Sequence, residues 1–591
     1  MNLHELVNEL IFDTKDKSLG MFMPELCLCA TIVLLLLIRL FKAGQQVDLF
    51  WVVLAGTGAA VLCASPWTHL GSAPAVPVVR TEIFTGMLVY DPFTVFMRAI
   101  LIGFAFLFAI FTKLSGIPDR EDGADIYTLV LGSTLGMCLM ASANHLLMVF
   151  MAVEMASVPS YALAGMLKGR RVGSEAALKY SVYGAGAAGV MLYGISLVAG
   201  LLNTVHMPTM AAQLAERLPT MPSGEAMVLA VGGLMIMVGL AFKLSAVPFH
   251  FWCPDVFEGA CAEVNAFLSI ASKAAALALL VRVAIGFGAI PPEARHTQQV
   301  ASAEIGSRGL FAVADDEHPK EDTAKSNGDA AHGHSEGEAP HAVSGTPNEN
   351  LAGSRFFMAK LIAFLAAITC TFGNLAAYGQ TNIKRLLAYS TIAHAGYMMM
   401  AVPAMLVMAG DAPLRAQAAV SALAIYIGIY LFMNLGVFAI VAFLRNALRT
   451  EEIADYAGLI RRCPFTVVCF VLILFSLVGL PPLAGFIGKF AIFASLAEGW
   501  TVSGYTAHFL IVLLVVGGMN TAISLFYYLR IARVMVIEDE PADRQPFVYP
   551  EVSLQGAFVC LLTAPAVLLI FDWETLSQWA QAATQYLLVA A

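Results

Sequence analysis

The sequence predicts an all-α polytopic membrane protein of about 14 transmembrane helices, with helices 7 and 12 broken and two inverted five-helix repeats at its core. Three observations carry that expectation. The chain is 59% hydrophobic and only 13% charged over 591 residues, with a mean hydropathy of +0.76, more apolar surface than a soluble protein of this length needs. Apolar windows long enough for a bilayer, about 20 residues each, recur from end to end. Four ionisable residues fall near the middle of such windows, where charge is costly.

The windows run over 21–41, 47–65, 91–113, 125–142, 145–167, 175–201, 226–250, 261–288, 355–377, 385–408, 417–444, 465–497, 504–534 and 552–571. Window 465–497 is too long for one straight span. Its centre reads "GLPPLAGF", so two half-helices are expected around Pro481 and Pro482. The N-terminus, "MNLHELVNELIFDTKDKSLG", is polar and mildly acidic, so no cleaved signal peptide is expected. Loops after odd-numbered windows hold Arg39, Lys42, Lys113, Arg120, Lys168, Arg170, Arg171, Lys384, Arg385 and several further arginines. Short loops after even-numbered windows offer little beyond Arg80, Arg217 and Arg415. The positive-inside rule therefore places odd loops in the cytoplasm and both termini outside.

The chain divides into helices 1–3 over 1–115, a first repeat over 116–289, a polar insertion over 290–354, a second repeat over 355–535 and a last helix within 536–591. The insertion includes "DDEHPKEDTAKSNGDAAHGHSEGEAPH", the composition of a disordered tether on the outer side. Its His332, His334 and His341 have no scaffold to fix a metal site, so none is expected. Ten cysteines are scattered without a CxxC pair, mostly in apolar runs, so no iron–sulfur cluster is expected either. The net charge of -9 argues against nucleic-acid binding. Residues 184–189 read "GAGAAG", a formal GxGxxG. These glycines lie inside an apolar window, where small residues serve helix packing and not a dinucleotide.

The four mid-window charges are Glu154, Lys243, Lys273 and Lys489. Each costs about 2.5–3.5 kcal/mol at the bilayer centre, and intramembrane charges by default mark ion pathways. Desolvation lowers the pKa of a lysine and a nearby carboxylate raises it, so a buried lysine can alternate between two charge states. Glu154 is the natural partner for Lys243. Lys489 has no carboxylate near it in sequence, so its partner must come from elsewhere in the chain or from another subunit. Pro248 follows Lys243, and Pro481–Pro482 precede Lys489. A proline in a span frees a carbonyl, tolerated only where it faces protein or water. Each break is thus expected to hydrate its lysine.

The stretches "YGAGAAGVMLYGI" and "YIGIYLFMNLGVFAI" are alike in texture, and each precedes a lysine-bearing broken helix. Inverted repeats with discontinuous helices are a transporter arrangement. His394, in "YSTIAHAGYMMM", lies inside a span and suits a proton relay. His250 and Lys179 lie nearer span ends and are weaker candidates.

Five stretches, "VEMASVPSYALAG", "EAALKYSVYGAGAAGVMLYG", "FKLSAVPFHFWCPDVFEGA", "IKRLLAYSTIAHAGYMMM" and "GLPPLAGFIGKF", resemble the antiporter-like membrane subunits of respiratory complex I, NADH:quinone oxidoreductase. "PSYAL", "PDVFEG" and "AHAGY" point to the N type over the M and L types. The resemblance spans about 20–535 apart from the insertion. It implies fourteen helices in two inverted repeats, in a bacterial cytoplasmic membrane, translocating protons coupled to quinone reduction in neighbouring subunits. It also implies roles for Glu154, Lys243, Lys273 and Lys489, with His250, His394 and Lys179 at further polar positions. FMN, iron–sulfur clusters and quinone would belong to partner subunits, and this chain would hold no cofactor. One departure is local: after "EGA" the family continues "PTPV", whereas this chain has "CAEVNAF", adding Glu263. Two rivals stand beside this reading, a subunit of a multisubunit cation/proton antiporter and a structural membrane scaffold. Sodium would want converging oxygen ligands, and the midplane groups are mostly lysines, which favours protons.

Overall fold

The structure, a computed structural model, describes residues 3–41, 48–70, 78–117, 123–167, 169–290, 347–542, 544–547 and 549–588. It is almost wholly helical, because in lipid the backbone must satisfy its own hydrogen bonds. The helices are α1 (Met23–Leu40), α2 (Leu49–Ala64), α3 (Pro92–Ser115), α4 (Gly123–Ser142), α5 (Leu146–Ala164), α6 (Arg171–Leu202), α7 (Ser223–Leu244) and a short α8 (Trp252–Gly259). They continue as α9 (Ala262–Gly288), α10 (Ala352–Ala377), α11 (Ile383–Met408) and α12 (Pro413–Leu448). Then come α13 (Pro464–Val478), α14 (Ala484–Val502), α15 (His508–Val536) and α16 (Leu554–Leu568), with a shorter helix, Trp573–Thr584, after them.

All fourteen windows are helical, in keeping with the expected fold, and window 465–497 is broken as its prolines predict. Among the described residues twelve helices are long and apolar enough to cross a membrane, or thirteen when Leu554–Leu568 and Trp573–Thr584, bent by 83°, count as one. Window 465–497 is the exception: it is two helices, and α13 alone has 15 residues, short of a full crossing. The insertion expected over 290–354 falls mostly on 291–346, outside the described residues. Its last residues are helical, in Pro347–Asn350 and the start of α10.

The ends of these helices follow local chemistry. Asp91 caps α3 by accepting from the Thr94 amide at 2.8 Å, and Gly116 closes it with a positive φ of 80°. Asn382 caps α11 by accepting from the amides of Lys384 and Arg385. Before α3 lies an antiparallel hairpin of β1 (Thr81–Ile83) and β2 (Leu88–Tyr90), which the hydropathy pattern did not announce.

α4 lies along α5, α6 along α7, and α10 along α11. Burial separates two classes of helix. The apolar windows of α9 and α11 are completely buried and that of α12 is 94% buried, whereas α1 and α15 bury only 28% of theirs. Along α1 the exposed side chains are Val33, Leu34, Leu36 and Leu37, an apolar face suited to lipid. Lys273 and His394 ride on the wholly buried helices.

The two breaks are built alike. α7 ends at Leu244, and Ser245 turns the chain with a φ of 56°. α13 ends at Val478, and Gly479 turns it with a φ of 86°. A cis X–Pro bond follows each turn, Val247–Pro248 and Pro481–Pro482.

Candidate functional site

Lys243 sits on the last turn of α7, and only 1% of it is exposed. Its ammonium donates to Ser157 Oγ at 3.0 Å. Ser157 lies one turn beyond Glu154 on the same face of α5, and Glu154 is within coulombic reach of Lys243. The hydrogen bond of the ammonium thus goes to a neutral hydroxyl, while Glu154 acts on Lys243 through space. At the break, the Phe242 carbonyl accepts from Trp252 Nε1 at 3.1 Å, and Val247 N–H donates to Thr369 Oγ1 of α10 at 3.0 Å. The indole stacks on Tyr180 at 4.2 Å. Two side chains thus reach backbone groups at this break, Thr369 from α10 and Trp252 from the start of α8.

The second break works differently. Lys489 of α14 donates to the Val478 carbonyl at 2.8 Å, the group released where α13 stops. Its ammonium also lies 4.4 Å from the centre of the Tyr397 ring. A backbone carbonyl and an aromatic face, both neutral, take the place of the counter-charge that the sequence left unassigned.

Lys273 is 1% exposed, and its ammonium makes no hydrogen bond to any described residue. His394, also buried, holds both ring nitrogens against phenols: Nδ1 is 2.8 Å from the Tyr426 hydroxyl and Nε2 is 3.3 Å from that of Tyr528. Both Lys273 and Lys489 are near enough for their charge to act on His394.

The remaining candidates fall elsewhere. His250 lies past the end of α7, in the first break, 2% exposed, with the rings of Phe251 and Phe372 at 4.4 Å each. Lys179 is partly exposed, bound to Asp255 at 2.8 Å and Glu175 at 2.9 Å. With Glu258 and Arg385 these residues line an open polar cavity of about 230 Å³. The structure thus puts Lys179 at a mouth of the bundle. Glu263, the departure from the family pattern, is buried in the first turn of α9. The "GAGAAG" stretch lies within α6, and close α6–α7 packing occurs further on. A Cβ on Gly194 would come within 2.6 Å of the Gly232 carbonyl.

Sequence reasoning missed three groups. Ser157, Tyr426 and Tyr528 are ordinary membrane residues, and only their contacts with Lys243 and His394 mark them. Glu25, Arg98 and Arg282 are charges inside windows that the midplane count passed over. Arg98 pairs with Glu25 at 2.5 Å, and Arg282 grips Asp91 through both nitrogens at 2.6 and 2.7 Å. Lys384, 2% exposed, donates to the Glu258 and Ala260 carbonyls and meets Glu451 at 2.9 Å.

Comparison with known proteins places this arrangement. Residues 143–300 and 349–517 match the family described as NADH:quinone oxidoreductase/Mrp antiporter, TM. The NADH-quinone oxidoreductase subunit N of Anaeromyxobacter sp. is 34% identical, over 97% of this chain and 98% of its own length. The NADH-quinone oxidoreductase subunit N 2 of Sorangium cellulosum is 35% identical, over 94% and 95%. Among solved structures, a chain of respiratory complex I from Thermus thermophilus with bound aureothin superposes with a TM-score of 0.64 at 26% identity, over 94% of this chain and 98% of that one. A chain of the Mrp complex from Dietzia sp. gives 0.69 at 17% identity, over 96% and 97%, a likeness of fold alone. The chain belongs to the NADH:quinone oxidoreductase/Mrp antiporter transmembrane family, on its NADH-quinone oxidoreductase subunit N side.

Proposed function

We propose that this chain is an antiporter-like, proton-translocating membrane subunit of an NADH:quinone oxidoreductase, moving protons along Glu154, Lys243, Lys273, His394 and Lys489. One observation carries the reading: three buried lysines meet a hydroxyl, a carbonyl or nothing, and never a carboxylate at bonding distance. An ammonium held by neutral partners can lose its proton without stranding a buried opposite charge. Glu154, one turn from Ser157, can bias Lys243 through space. Lys179 and its cavity sit where water can deliver protons, and His250 occupies the first break.

Redox chemistry would reside in partners. Flavin, iron–sulfur clusters and quinone belong to neighbouring subunits in this reading, and the translocase activity is that of the assembled complex. The complex sits in a bacterial cytoplasmic membrane, with both termini and the 290–354 segment outside. This chain contacts other antiporter-like and small membrane subunits and lipid. The fold shared with the Mrp subunit makes cation/proton antiport the competing reading.

The test is to purify the complex through this chain and reconstitute it in liposomes. Proton uptake per NADH oxidised is then compared with Lys243→Ala and Lys489→Ala variants. Normal assembly with reduced uptake supports the proposal. Unchanged uptake per NADH leaves a scaffold, and purification with membrane partners alone and no NADH oxidation favours the antiporter.

A further inference from the structure

His394 of α11 has a buried phenol at each of its ring nitrogens, Tyr426 of α12 and Tyr528 of α15. We propose that Tyr426 and Tyr528 are proton-relay residues that work with His394 to carry protons between Lys273 on α9 and Lys489 on α14. This rests on the proton-translocation reading above.

Geometry supplies the path. A neutral imidazole has one N–H donor and one acceptor nitrogen, and a phenol both donates and accepts. His394 has a hydroxyl at each nitrogen, Tyr426 at 2.8 Å and Tyr528 at 3.3 Å. The Tyr528 hydroxyl also contacts Ser390 Oγ, which extends the chain by one more oxygen. Both tyrosines are fully buried, so their oxygens stand where ordered water would otherwise be needed. Tyr426 also reaches toward the terminal lysine. A Cβ on Gly488, the residue before Lys489, would come within 2.5 Å of the Tyr426 ring, so the phenol packs directly against that turn of α14.

The transfer balances atom by atom. An O–H bond of Tyr426 breaks as N–H forms at Nδ1 of His394, and the Lys489 ammonium restores the Tyr426 O–H as one of its own N–H bonds breaks. The N–H at Nε2 breaks as O–H forms on Tyr528, which gives its own proton onward. One proton enters and one leaves, and no group keeps a charge. Rotation of the hydroxyls and the ring resets the line. Run in reverse, the same steps carry a proton the other way.

Tyr426→Phe, Tyr528→Phe and the double variant remove only the oxygens and keep the rings. In liposomes holding the whole complex, each single variant is expected to assemble and to lower protons moved per NADH toward the level of Lys489→Ala. The double variant should reach it. Wild-type uptake in the double variant, with Lys489→Ala still impaired, overturns the relay and leaves the translocation reading standing. Wild-type uptake in Lys489→Ala as well overturns both. A double variant that does not assemble is replaced by difluorotyrosine at position 426, which keeps the shape and makes the phenol more acidic. A relay then shifts the pH profile of proton uptake, whereas an unchanged profile means the hydroxyl only ties α11 to α12.

Discussion

Arg98 and Arg282 are buried as deeply as Lys243 and Lys489, yet each arginine faces a carboxylate at bonding distance and neither of these lysines does. The difference follows from chemistry. A guanidinium keeps its charge at any accessible pH and fits a carboxylate with two parallel bonds. Arg282 holds the Asp91 carboxylate with two charge-assisted hydrogen bonds, at 2.6 and 2.7 Å. Such a pair fixes structure, here between the start of α3 and α9. Lysine can lose its proton when its surroundings ask it to. Here the two arginine pairs join helices, whereas the three lysines proposed for the path have no carboxylate at bonding distance.

Breaking one arginine joint should have the largest effect on stability. Arg282→Met strands a buried carboxylate at a cost of about 3–5 kcal/mol, read as loss of assembled complex. Asp91→Leu with Arg282→Met removes both charges and should recover most of that loss. A double variant as unstable as the single one would mean that the joint stabilises by more than its paired charge.

Ser157→Ala comes next. It removes a hydrogen bond to a charged group, about 1.5–3 kcal/mol, and frees Lys243 to turn toward Glu154. Proton uptake should slow by roughly tenfold, as about 1.4 kcal/mol implies, with assembly intact. Unchanged uptake would mean that Lys243 does not depend on its hydroxyl partner. Gly479→Ala should cost about 1–2 kcal/mol from its left-handed backbone. Its Cβ would also press Lys489 Cδ at 3.0 Å, displacing the ammonium from the Val478 carbonyl. Thermal inactivation and uptake should fall together; a drop in stability alone would uncouple the turn from the lysine.

The smallest effect concerns the hairpin. Burial pushes the Glu82 carboxyl up, but hydrogen bonds and charge from His206, together with Asn144, hold it below its ordinary value. A lowered carboxyl gives stability above its ordinary range that is lost as pH falls through the lowered value. Protection factors for hydrogen exchange over 81–90, taken against the intrinsic rate at each pH, should therefore fall on acidification, and Glu82→Gln should flatten that dependence.

Much of this was legible in the sequence. Apolar length located the helices, and the expense of buried charge singled out Glu154, Lys243, Lys273 and Lys489. Proline marked both breaks. What the breaks bind was not legible, because Thr369 reaches the first one from α10, Trp252 folds back onto it from the start of α8, and Val478 answers Lys489 only once the chain has turned. Tyr426 and Tyr528 gave no signal, since tyrosine is common in membrane helices. The hairpin was hidden because each strand has three residues, too few for an alternating pattern. Glu25 and Arg98 lay closer to window ends, where charge is ordinary.

Lys243→Arg tests the central claim most directly, since it keeps the positive charge and much of the reach but cannot release a proton. The measurement is proton uptake per NADH by liposomes holding the complete complex. The account predicts an assembled, NADH-oxidising complex that moves fewer protons per NADH than the wild type. Wild-type uptake would contradict it, because the charge at Lys243 would then need only to be present and never to change.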